Sequence, residues 1–167
     1  MVSDSAVPSV VERAAQPYIA IRRAVTMGTI ATVADRIPDI FRWLAAQNIA
    51  PADAPFFKYD VIDMAGTMVI EVGWPVPAPL DGEGEFIAGT LPAGRYATVT
   101  HVGHPDRLAE VTRDLLRWAA GEGLTFDVRN TDEGEVWGCR LESYRTDPAL
   151  EPDMFSWKTT LLFRLAD

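Results

Sequence analysis

Only one cysteine, Cys139, occurs in the 167 residues. An internal disulfide and a thiolate metal cluster are therefore excluded, and a reducing compartment fits best. Basic residues are also scarce: 15 Lys and Arg stand against 24 Asp and Glu, a net charge of −9. That sign repels phosphate backbones and no Lys/Arg cluster offsets it, so direct nucleic-acid binding is not expected. Apolar runs fall short of the ~18 residues a membrane-spanning helix needs, and residues 1–16 lack a basic start followed by an apolar stretch. The expectation is a cytoplasmic chain with neither signal peptide nor membrane span. Its hydrophobic content of 48% is ample for a buried core.

Along the chain, residues 1–8 read as a loose tail and Tyr18 to Val25 as a strand. From Thr29, the apolar residues Ile30, Val33, Ile37, Ile40, Phe41 and Leu44 recur at helical spacing. Pro38 inside that pattern predicts a kink or a helix start. Strands follow over Phe56–Met64 and Met68–Trp74, joined by a tight turn. Glu71 is the one charge in an apolar run: it either faces water or meets a ligand. Pro75 to Glu85 has the composition of a linker, and its Gly-Glu-Gly-Glu cannot hold phosphate.

After the linker the order recurs. Ala93–Val102 reads as a strand. A helix opened by His104-Pro105 carries Leu108, Val111, Leu115, Trp118 and Ala119 on one face. Strands over 136–144 and Trp157–Leu165 follow. His101 and His104 read as a strand-end and a helix-capping residue rather than metal ligands. The strand–helix–strand–strand order thus occurs twice, with Tyr18 answering Tyr96 and Trp43 answering Trp118. The fold class this predicts is α+β: two duplicated strand–helix–strand–strand (SHS2) units with pseudo-two-fold symmetry, antiparallel sheets and a central groove. The whole chain, 1–167, is one domain, with repeat 1 at about 10–77, a linker over 78–85 and repeat 2 at about 86–167.

The stretch Val136 to Pro148 organises the rest. Its alternation places Trp137, Cys139 and Leu141 on one strand face and Arg140, Glu142 and Tyr144 on the other. Two readings of Glu142 are open. It makes a partly exposed ion pair with Arg140, or it sits in a groove where Tyr144, Trp157 and Tyr59 surround a ligand.

The motifs resemble the GyrI-like domain. Ile37-Pro38, Phe41, Trp43-Leu44, Pro55-Phe56, Tyr59 and Glu71-Val72-Gly73-Trp74-Pro75 look like its first half. Leu91-Pro92-Ala93-Gly94-Arg95-Tyr96, His101-x-Gly103, Leu116-x-Trp118, Glu142-x-Tyr144-x-x-Asp147-Pro148 and Trp157-x-Thr159 look like its second. The resemblance implies the effector-binding domain of MerR- and AraC-type regulators, which holds lipophilic, often cationic molecules against a buried glutamate. Glu142 matches that glutamate, and Tyr144 and Trp157 match its aromatic neighbours. No helix-turn-helix segment is apparent, which points to a stand-alone member. Some stand-alone members resemble hydrolases that open strained cyclopropane rings, using the same glutamate. A gyrase-inhibitor role rests on the family's name alone.

The expected function is therefore small-molecule binding in the inter-repeat groove by Glu142, Tyr144, Trp157, Tyr59 and Glu71, with no cofactor or metal. The alternative is hydrolysis, with Glu142 as general base and Tyr144 as donor. A protein partner is left open.

Overall fold

Residues 7–63 and 65–167 are described by the structure, a computed structural model. Residues 1–6 of the expected tail and Met64 of the expected strand lie outside them. One antiparallel sheet dominates, with the order β1 (Ser9–Arg13), β6 (Gly94–Val102), β10 (Lys158–Arg164), β9 (Arg140–Tyr144), β3 (Phe56–Ile62), β4 (Met68–Pro75), β2 (Gln16–Val25) and β5 (Ile87–Leu91). A hairpin of β7 (Val128–Thr131) and β8 (Gly134–Trp137) attaches where β8 pairs with the end of β3. The helices are α1 (Ile30–Ala34), α2 (Ile37–Ala46) and α3 (Leu108–Gly121). Of the kink or helix start expected at Pro38 it is the start that occurs: α1 ends at Ala34, and Pro38 sits in the first turn of α2, where its missing N–H is tolerated.

Two short connections force the sheet to curl. β1 ends at Arg13 and β2 begins at Gln16, yet six inter-strand spacings separate them along the sheet path. In a flat sheet that is about 29 Å, whereas three Cα steps reach at most about 11 Å. Leu91 of β5 and Gly94 of β6 impose the same restraint from the other pair of strands. The result is a half-barrel.

Its helix-free face is buried by the curl itself, through Tyr18, Ala20, Phe56, Leu91, Tyr96, Cys139, Leu141 and Leu162. Two further clusters lie on the helix-bearing face. Ile40 and Leu44 of α2 pack on Ile21, Ile70 and Val72, while Leu115 of α3 packs on Val99, Leu161 and Phe163. The central strands β10, β9 and β3 run between these helix-covered regions.

The stretch 75–86 is pinned rather than free. Glu83 accepts the Trp43 indole N–H at 2.8 Å, and Glu85 pairs with Arg36 at 2.5 Å and with Arg23.

One expectation about the organising stretch is corrected. Trp137 does not share a face with Cys139 and Leu141. It packs against Phe126 and Phe163 in the α3 cluster, while Cys139 and Leu141 belong to the helix-free face. The alternation breaks at Gly138, whose N–H donates to Asp127 O at 2.8 Å. A Cβ there would run into the Asp127 carboxylate, so this close approach requires glycine.

Candidate ligand-binding site

Glu142 lies on β9, opposite Leu161 of β10 and Phe57 of β3. Because side chains in a strand repeat every second residue, Tyr144 and Tyr59 share its face. Both hydroxyls converge on one carboxylate oxygen: Tyr144 donates to Glu142 Oε1 at 2.6 Å and Tyr59 at 3.1 Å. Phe57 stands edge-on to Tyr144, with ring centroids 5.3 Å apart. The regular β3 register up to Tyr59, with Phe57 opposite Glu142, sets this arrangement, and a bulge follows between Tyr59 and Val61. Asp60 is the extra residue of the bulge and points to the other face.

Burial pushes the Glu142 carboxyl above the ordinary carboxylate range, against the pull of the two hydroxyls and the nearby Arg140 charge. Both phenols are raised as well, by burial first and then by Glu142, which keeps them protonated and donating. Glu142 Oε2 receives no hydrogen bond from a described residue, and no described cation lies within 4.0 Å of the carboxylate.

Arg140 shares the face, but the exposed ion pair with Glu142 is not what forms. Its guanidinium stacks at 4.6 Å from the Phe163 ring centroid, 4.9 Å from Trp137 and 5.7 Å from Tyr59. The ring of Tyr59 thus adjoins Arg140 while its hydroxyl holds Glu142. Burial lowers the Arg140 pKa, and its Nε is buried without a hydrogen-bond partner. The break at Gly138, which turns Trp137 toward this face, creates the stack. Sequence alternation could not show it.

The other candidates fall elsewhere. Trp157 precedes β10, and its indole N–H is taken by Glu151 O at 2.7 Å. Glu71 is opposite Lys58 on the helix-free face, one residue out of phase with Tyr59. There Tyr18 donates to Glu71 at 2.6 Å, and Lys58 reaches Glu71 at 3.1 Å as well as Asp60. Burial raises the Glu71 carboxyl, while hydrogen bonds from Glu71, Lys58 and Arg22 hold Asp60 below its ordinary value despite burial. The structure thus brings Glu142, Tyr144 and Tyr59 together and leaves Glu71 apart.

His104 Nδ1 accepts the Asp106 N–H at 3.1 Å, as a cap does, and His101 Nε2 lies 3.2 Å from His104 O. Two open hollows of about 410 and 460 Å³ lie beside α1 and α2, lined by residues such as Arg23 and Arg36 or Trp43 and Gln47. Neither includes Glu142.

The family model of the GyrI-like small molecule binding domain matches residues 7–151. The chain belongs to the GyrI-like family. No curated protein sequence matches it significantly. Solved structures share the fold at low identity. The C-terminal domain of EcmrR is 20% identical with TM-score 0.75, the match covering 100% of this chain and 99% of that one. EcmrR in complex with DNA is 19% identical with TM-score 0.75 over 96% of this chain, which spans 57% of EcmrR. SAV2435, solved with bound tetraphenylphosphonium, is 10% identical with TM-score 0.66, covering 96% and 94% of the two chains. A Listeria innocua protein described as a hydrolase is 10% identical with TM-score 0.62, covering 95% and 91%. For this GyrI-like chain, these likenesses establish an α+β fold built on a curled antiparallel sheet.

Proposed function

We propose that this GyrI-like domain binds a lipophilic, cationic small molecule against Glu142 on the central strands between α2 and α3. One observation carries the reading: a largely buried carboxylate whose Oε1 accepts two tyrosine hydroxyls while Oε2 accepts none from the described residues, with no described cation within 4.0 Å to form an ion pair. A buried carboxylate without an ion-pair contact is unfavourable, and a cationic ligand supplies that contact. Tyr144, Tyr59 and Phe57 offer aromatic surface to it, each cation–ring contact contributing roughly 0.5–2 kcal/mol. We place Trp157 at the rim, next to the Tyr144 end of β9, and leave Glu71 out because Lys58 and Tyr18 already engage it. Tetraphenylphosphonium on a similarly folded protein supports the choice of ligand class by analogy.

We also read the two halves, about 10–77 and 86–167, as duplicated SHS2 units around a pseudo-two-fold axis. The strand order supports this, since β6–β10–β9 on one side mirrors β2–β4–β3 on the other. Tyr18 would then superpose on Tyr96 and Trp43 on Trp118. We assign the domain to the cytoplasm, on its single buried thiol. Its acidity opposes DNA contact, so any transcriptional role runs through a partner or another segment.

A second reading is hydrolysis of a strained electrophile, with Glu142 as base and Tyr144 as donor. The raised Glu142 pKa favours it, because a carboxylate lifted above its ordinary range is the better proton acceptor. Isothermal calorimetry with tetraphenylphosphonium, beside a hydrolysis assay on a cyclopropane electrophile, tests both on wild type and Glu142→Gln. Equal signals for the two proteins in both assays would remove Glu142 from function.

A further inference from the structure

Arg140 is the group the reading above does not use. Cation–ring stacking covers the flat faces of a guanidinium, and Phe163, Trp137 and Tyr59 supply such contacts. The five N–H donors of arginine point outward in the guanidinium plane, where stacking cannot satisfy them. Nε is buried with no partner, and no described carboxylate lies within 4.0 Å of the head group. The acids nearest in charge terms are both engaged by others: Glu142 by two tyrosines, and Glu135 by the Trp137 indole N–H at 3.2 Å. An opposite-charge pair on one strand face has therefore been kept apart, with Tyr59 touching both members.

We propose that Arg140 is the second pole of the ligand site and binds a carboxylate carried by the ligand, so that the preferred ligand is a lipophilic zwitterion with its cation at Glu142. The inference rests on the Glu142 reading and narrows it. A planar arginine fork suits a carboxylate bidentately, and a hydrogen bond between charged groups is stronger than a neutral one. Arg140 also repels a plain cation at Glu142, so a molecule bearing only positive charge is the poorer ligand. The geometry distinguishes the two by the sign of one substitution.

The test is calorimetry with two matched probes, butyltriphenylphosphonium and (4-carboxybutyl)triphenylphosphonium, at a pH where the carboxylate is ionised. Wild type should bind the carboxylate-bearing probe about tenfold or more tightly. Arg140→Met keeps an unbranched stem against Phe163 and Trp137. It should abolish that preference and, by removing the like charge, tighten binding of the butyl probe. Arg140→Lys, which keeps the charge and loses the fork, should give an intermediate ratio, and circular dichroism checks folding of each variant. The wild-type ratio is decisive even if a variant does not fold: equal affinities overturn the Arg140 assignment. So does a preference that survives in folded Arg140→Met. If butyltriphenylphosphonium binding still falls in Glu142→Gln, the functional reading survives that failure. If neither probe binds wild type, or binding ignores Glu142→Gln, the functional reading falls and this inference falls with it.

Discussion

Glu142→Gln separates a ligand site from an ordinary structural carboxylate, because the two predict opposite pairs of effects. Glutamine keeps an oxygen at Oε1, so it can still accept from Tyr144 and Tyr59. What disappears is the charge. No described cation lies within 4.0 Å of the carboxylate, so the folded protein loses no ion pair. It is instead relieved of a buried anion. Stability should be unchanged or higher by about 1 kcal/mol, which for a chain of this size raises Tm by roughly 2–4 °C. Binding should move the other way. Removing one member of a buried charge pair costs on the order of 2–5 kcal/mol, so tetraphenylphosphonium affinity should fall from about thirtyfold to several thousandfold. Scanning calorimetry and titration calorimetry on the same preparations read both quantities. A variant that melts well below wild type and still binds the cation would refute the reasoning, since Glu142 would then be holding the sheet and not a ligand. If the site is hydrolytic, turnover vanishes while substrate affinity stays near wild type.

Four further outcomes follow from the same structure. The raised Glu142 carboxyl must ionise to meet a cation, so affinity should climb with pH, by at most about tenfold per pH unit, until the folded pKa is passed. Titrations in buffers of different ionisation enthalpy should show proton release. The same shift lowers stability as pH rises from the unfolded value of 4.5 to the folded one, because there the folded state holds the proton that the unfolded state has lost. Lys58→Met should destabilise by about 3–5 kcal/mol in urea melts, as it strips the buried Glu71 and Asp60 of their shared cation, and adding Glu71→Gln should recover part of the loss. Gly138→Ala should cost about 1–3 kcal/mol and disturb the Arg140 stack, because the added methyl meets the Asp127 carboxylate; an unchanged melt would show that this strand break is not rigid.

Much of the architecture is legible without coordinates. Period-two runs locate β2, β3, β4, β6 and β10, and the stripes of Ile40 and Leu44 or Leu115 and Ala119 locate the covering helices. What the runs miss are β1, β5 and β7. β1 and β5 lie at the ends of the sheet path, and the residues of β1 and β7 are mostly exposed. Such strands are held by backbone pairing with a neighbour and carry little hydrophobic alternation of their own.

The sequence by itself determined that Glu142 and Tyr144 share a strand face, because the pleat alternates whatever the strand pairs with. It also determined the order of elements, the acidic balance and the family. Only the tertiary structure decided the rest. Bringing Tyr59 to Glu142 from 83 residues away required the β3–β9 register. Glu71 was separated from the site by a single step of the pleat, since in a sheet buried on both faces each residue must go to one side or the other. The parting of Arg140 from Glu142 depended on Gly138, where contact with Asp127 breaks the alternation and turns Trp137 under the guanidinium. Local periodicity fixes which way a side chain points, but what it meets there is set by non-local register.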